Sequence, residues 1–261
     1  MNSILPAPFA WCDIPEGDVT LKGSAGPSLD YPDYIPYKKL MTFRVPTFSI
    51  SKYLISNAQY AKFIEAGGYD EKKWWTDAGW EAKTNGIERI KGVWTPSNQA
   101  WVQPLWWTHR GFNAPDAPVV GVSWYEAIAF CRWLSDVSGE TITLPTDAQW
   151  QRAAQGDDNR AYPWGDEWGE EDNWYDAGDY SGKHPLVNQF EGEVDSPFGV
   201  VHMASRAWKW CLTEYNTGDN KLDGDVERIV LGGQSFSVTH RKENHPAIRD
   251  DIHAFFIVKL S

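Results

Sequence analysis

The run Leu144-Pro145-Thr146-Asp147-Ala148-Gln149-Trp150-Gln151-Arg152-Ala153-Ala154 constrains this chain more than any other. Thr146 and Gln149 have capping-box spacing, in which both side chains accept from orphan backbone amides at a helix start. The box predicts a helix that stops at Gly156. A second box, Ser123-Trp124-Tyr125-Glu126, predicts another, with Ala127, Phe130, Cys131 and Leu134 on its apolar face and Gly139 as its stop. Ser56 is a natural N-cap for an earlier helix carrying Tyr60, Phe63 and Ile64 and ending at Gly67-Gly68. Residues 12–55 read instead as short extended segments broken by Pro and Gly, including Phe43-Arg44-Val45 and Phe48-Ser49-Ile50. Beyond Asp157 the chain is loop-rich, with strand candidates at Arg228-Ile229-Val230-Leu231 and Phe255-Phe256-Ile257-Val258. Few helices among many short strands predict an α+β fold.

At 261 residues the chain can bury a large core, and no hinge-like linker divides it. It reads as one domain, 1–261, with an insert at about 67–117 between the first two helices. The insert carries Trp74, Trp75, Trp80, Trp94, Trp101, Trp106 and Trp107 and is expected to cover part of the core. Trp124, Trp150 and Trp164 are expected inside it. A net charge of −12 with no basic stripe speaks against a nucleic-acid partner and an anionic membrane surface. No apolar run is long enough to span a membrane, and the N-terminus has no basic leader region, so a cytoplasmic protein is expected. Cys12, Cys131 and Cys211 lie too far apart for a metal cluster or a disulfide framework, and Cys131 is expected as a buried free thiol.

Several of these segments stand in a familiar order. Pro118-Val119-Val120-Gly121-Val122-Ser123-Trp124-Tyr125-Glu126-Ala127 is similar to PVVGVSWYEA, and Leu144–Ala154 with Tyr162-Pro163-Trp164-Gly165-Asp166-Glu167 to LPTEAEWEYAA…YPWGDE. Met203-Ala204-Ser205-Arg206-Ala207-Trp208-Lys209-Trp210 and Gly232-Gly233 are similar to DMAGNVWEW…RGGSW. Together they resemble the formylglycine-generating enzyme (sulfatase-modifying factor) family, a branch of the C-type lectin fold. The resemblance runs from about Ile14 to Val258 and implies that fold.

For activity the resemblance implies less. The family's oxidases use two cysteines shortly after the Gly-Gly strand as soft ligands for copper(I). Here the stretch from Gly232 to His245 contains no cysteine. The fold's sulfur-transferring iron enzymes suggest an alternative, a metal-dependent oxidase or oxygenase built on His240, His245 and His253. No cofactor is otherwise required. The resemblance also makes structural calcium possible at Asn173 and Asp176, with Asp179 close behind. The family's second calcium site uses an Asn and a Glu that are Arg206 and Lys209 here, and two cations do not suit a divalent ion.

The C-terminal segment resembles another branch, the variable proteins of diversity-generating retroelements, whose template reads RxxxxPNNRNNNIGFRVV. Arg241, Pro246 and Arg249 fall in register with it, and Ala247, Ile248, Asp250, Asp251 and Ile252 stand at its asparagines. The resemblance implies a non-catalytic module that binds a ligand, expected to be a protein, through variable side chains on a stiff scaffold. The expected contact residues are Phe236, Ser237, Val238, Thr239, His240, Asn244, His245, Ala247, Ile248, Asp250, Asp251 and Ile252.

Overall fold

The computed structural model describes residues 4–21, 40–90, 92–167, 184–193, 195–222, 224–233 and 237–260. The chain begins with β1 (Trp11–Ile14), β2 (Gly17–Leu21), β3 (Met41–Val45) and β4 (Phe48–Ser51). Next come α1 (Asn57–Glu65), α2 (Asp77–Asn85), β5 (Ile87–Ile90), β6 (Val93–Pro96), α3 (Trp124–Ser138), β7 (Thr141–Thr143) and α4 (Asp147–Gln155). The C-terminal part supplies β8 (Trp208–Glu214), β9 (Arg228–Gly232), β10 (Arg241–Asn244), β11 (His253–Ala254) and β12 (Val258–Leu260). Among the described residues no helix is long and apolar enough to cross a membrane.

Local chemistry sets the helix starts. Ser56 with Gln59, Ser123 with Glu126 and Thr146 with Gln149 each form a complete capping box. Gly139 closes α3 in the left-handed conformation at φ 72°, where an L side chain is disfavoured. Helix α2 was not expected from the sequence. Thr76 caps it through Gly79, but a glycine in its first turn and no apolar stripe leave little local signal.

One sheet runs β1-β4-β12-β7, entirely antiparallel, so the C-terminal strand sits between an N-terminal strand and the strand after α3. The other runs β10-β9-β8-β11, with β11 parallel to β8. Strand β8 is buried throughout. Its alternate residues Trp208, Trp210 and Leu212 join the apolar cluster around α1 and α3, while Cys211 joins the cluster around α4 and β1–β4. Val230 and Ile229 of β9 divide the same way, so this sheet separates two halves of the core. The expected strand Phe255–Val258 is displaced. Phe255 and Ile257 enter one cluster and Phe256 the other, and their carbonyls serve Ile55 and Ser51 as the chain crosses between sheets.

Trp124 and Trp150 are fully buried, but Trp164 is not a core residue. Its turn leaves it half-buried, stacked on Tyr162 with ring centres 5.4 Å apart. The indoles of Trp124 and Trp210 cross-link α3 and β8, donating to Cys211 O at 2.9 Å and Val122 O at 3.1 Å. Cys131 is a buried free thiol, and burial pushes its pKa up.

Buried His202 introduces a pH dependence. Its Nε2 lies 3.1 Å from Leu186 O, and burial lowers its pKa from 6.5 to about 4. Above pH 6.5 the ring is neutral in both states and contributes nothing. Below that, the unfolded chain takes up a proton that the native ring refuses, so stability falls as pH drops towards 4, in all by about 3 kcal/mol. Urea unfolding at neutral and mildly acidic pH should show the loss, and His202→Gln should flatten it. An unaltered slope in that variant would contradict the assignment.

Candidate functional site

The segment that follows β9 is held by residues far away in sequence. Gly233, at φ 69°, passes so close to Trp208 that a Cβ there would lie 2.3 Å from the indole, so only glycine fits. Arg241 is buried and forks onto Asp147, with Nε at 2.9 and 2.8 Å from the two oxygens. Its other nitrogens donate to Gln151 Oε1 and, at 2.7 Å, to Thr239 O. Pro246 is buried, and its carbonyl accepts from Trp124 N at 3.0 Å. Arg249 meets Glu126 at 3.0 and 3.2 Å, donates to Gln103 O and lies over the Trp101 ring. Glu126 also accepts from Ser123 N at 2.8 Å and Tyr69 Oη at 2.5 Å. Both arginines are thus received by carboxylates in the first turns of capped helices, where negative charge is already favourable.

Between these struts the expected contact residues have unequal fates. Phe236 lies outside the described residues, as do Asn173, Asp176 and Asp179. Val238 and Ala247 are corrections, for both are buried in the core, at 0% and 2% exposure. Ser237 and Thr239 are half-buried and bond to each other at 3.0 Å. Asp250 is half-buried and already has partners. Its side chain accepts from Ile252 N at 3.2 Å and pairs with His253 Nδ1, while its carbonyl accepts from Gly121 N. Ile248 and Ile252 are half-buried and rest on the core, and Asp251 is half-buried, with its carbonyl bonded to His184.

The three candidate histidines have separate environments. His253 stacks on Trp210 with ring centres 4.7 Å apart and meets Asn244 at 2.7 Å. His245 stacks on Trp94 at 4.2 Å and faces Asp225 at 3.3 Å. That bond holds the Asp225 carboxyl below its ordinary value, against burial. His240 lies beside Trp208, and burial, then the charges of Lys242 and Arg241, lower its pKa. Among the described residues no group of three or more His, Cys, Asp or Glu side chains is placed to hold a metal ion. Lys209 is fully buried and donates to Ser205 O at 3.0 Å. An amine in that position does not fit a calcium ligand set.

A groove of about 500 Å³ opens beside the segment. Ala247, Ile248, Arg249 and Asp250 line one wall, and the β5–β6 hairpin lines the other through Ile87, Glu88, Arg89 and Trp94. Trp74, Trp75 and Trp101 of the expected insert do cover the core. Trp94 does not; it is half-buried and lines the groove from a hairpin not expected from the sequence. The available signal was Ile87–Thr95 itself, two β-favouring runs around Gly92.

Residues 12–258 match the sulfatase-modifying factor enzyme 1-like domain family. The formylglycine-generating enzyme of Thermomonospora curvata is 29% identical over 213 residues, 72% of this chain and 67% of that protein. The hercynine oxygenase of Mycolicibacterium thermoresistibile is 32% identical over 126 residues, 47% of this chain but only 26% of that protein. Among solved structures, PvdO from Pseudomonas aeruginosa aligns with a TM-score of 0.62 at 16% identity, covering 95% of this chain and 93% of its own. Treponema denticola variable protein 1 aligns with a TM-score of 0.59 at 18% identity, covering 96% and 95%. At such identities the two structures speak for the fold alone, α+β and C-type lectin-like, of the formylglycine-generating enzyme type. The chain belongs to the sulfatase-modifying factor enzyme 1-like domain family.

Proposed function

We propose that the chain is a single, non-catalytic binding domain whose protein ligand is met by the segment 237–252. One observation carries this reading. Arg241 and Arg249 fasten the segment to two helix starts, while Ile248, Asp251 and Ile252 between and beyond them stay half-exposed. Side chains at such positions can change while the scaffold holds its shape. The likeness to a variable protein supports the reading. So do the cysteines. Cys12, Cys131 and Cys211 are all buried, and burial raises their pKa values, that of Cys12 to about 11, so thiolate is scarce at neutral pH. The domain needs no cofactor in this reading, and calcium at Asn173 and Asp176 would be structural.

The oxygenase relative keeps a metal-dependent oxidation as the rival. Two measurements on the purified full chain separate them. Elemental analysis should find no stoichiometric copper or iron, and a display library randomised at Ile248, Asp251 and Ile252 should yield binders to an immobilised globular protein. Stoichiometric copper or iron, lost on His240→Ala, His245→Ala or His253→Ala, would favour the oxidase and sink the binding reading.

A further inference from the structure

Asn85-Gly86 is the one Asn-Gly pair in the sequence, and it forms the joint between α2 and the β5–β6 hairpin. Asn85 is the last residue of the helix. It is exposed, and its side-chain amide has no hydrogen-bond partner among the described residues. The backbone beside it is equally open. At the ends of α1, α3 and α4 the N–H of the cap residue donates back to the helix. Gly86 at the end of α2 makes no such bond, and the carbonyl of Lys83 instead accepts from Trp101 N at 2.8 Å. Glycine also leaves that nitrogen without a Cβ to shield it. A helix this short, with a glycine in its first turn, frays at its end, so Asn85 can turn its side chain towards the following nitrogen.

On its far side the joint has no slack. Gly86 is buried at φ 64°, and its carbonyl accepts from Ser97 N at 3.0 Å. A Cβ there would lie 2.2 Å from Gln99 O. The hairpin starts at the next residue, Ile87, and its Trp94 stacks on His245 of the C-terminal segment with ring centres 4.2 Å apart. Where Gly86 sits therefore sets where this wall meets the segment.

We propose that Asn85 is a site of spontaneous deamidation whose isoaspartyl product displaces the β5–β6 hairpin from the C-terminal segment. The Gly86 nitrogen gives its proton to hydroxide and attacks Cγ of Asn85. A C–N bond forms, the side-chain amide leaves as ammonia, and a cyclic imide remains. Water then opens the imide at either carbonyl. The net change is an asparagine plus water to an acid plus ammonia, with nothing oxidised or reduced. Opening on the Cγ side gives an ordinary aspartate. Opening on the backbone side routes the chain through Cγ and inserts a methylene ahead of Gly86. The packing around Gly86 leaves no room for that length, so the hairpin has to move. Either product also puts a carboxylate at the negative end of the α2 dipole. The proposal does not depend on what the segment binds.

The full chain and a synthetic peptide of residues 80–90 are incubated side by side in mildly alkaline buffer. Electron-transfer mass spectrometry of the digests then separates isoaspartate from aspartate. The folded chain should convert at Asn85 at a rate comparable with the peptide, mostly to isoaspartate. Asn98 and Asn188, exposed but not followed by glycine, should stay amides. Asn85→Gln should abolish the conversion, because the longer amide closes its ring far more slowly. A folded chain that keeps Asn85 as an amide while the peptide converts overturns the site. The displacement is read by fluorine NMR of the fluorotryptophan-labelled chain, with the Trp94 signal assigned from Trp94→Phe. That signal should move in the isoaspartyl form and stay in place in Asn85→Asp, which carries the charge without the extra length. Conversion to aspartate alone, a Trp94 signal that stays still in the isoaspartyl form, or one that Asn85→Asp moves equally, overturns the displacement.

Discussion

Trp124→Ala is expected to cost about 3–5 kcal/mol, enough to threaten folding of a domain this size. The ring is fully buried beside Tyr125 at the start of α3. Its indole N–H serves Cys211 O, and the Arg228 guanidinium lies 3.9 Å above its ring centre. Alanine removes the packing, leaves the carbonyl unserved and strips one face from a fully buried arginine. Trp150→Ala belongs in the same range because that ring is equally buried. Trp164→Ala, at a half-buried turn, should cost about 1 kcal/mol. Urea unfolding of the three variants tests the order, and a Trp124→Ala protein with an unchanged midpoint would refute it.

Arg241→Ala should be nearly as damaging, about 3–5 kcal/mol, for a different reason. It strands Asp147, which is 1% exposed and has the guanidinium as its ionic partner. Replacing both residues with apolar ones of similar size should recover much of the loss, since the penalty lies in an uncompensated charge rather than in the missing pair. A double-mutant cycle read by urea unfolding measures this coupling. Strictly additive losses would mean that the two groups do not depend on each other.

What the sequence made legible is local. Each capping box is written within four residues, so the starts of α1, α3 and α4 could be read directly. The pairing of β12 with β4 joins residues about two hundred positions apart, that with β7 residues more than one hundred apart, and nothing in Val258–Leu260 encodes either neighbour. The site behaves likewise. Arg241, Pro246 and Arg249 could be picked out by register, but not their acceptors Asp147 and Glu126, whose local pattern explains them fully as helix-cap residues. Val238 and Ala247 look like ordinary loop residues until the struts turn them inward. Trp94 stands in sequence among tryptophans that do cover the core, and its position in the sequence does not say which face of a hairpin it occupies.

The central claim is that struts, not the side chains between them, hold the segment in place. Thermal unfolding of a combinatorial library at Ser237, Ile248, Asp251 and Ile252, set beside Arg241→Ala and Arg249→Ala, tests it most directly. Most library members should unfold cooperatively, with losses of about 1 kcal/mol or less per position, while both arginine variants lose several times as much. A library as intolerant as the arginine variants would make the segment part of the core or of a catalytic centre, and the account would fail.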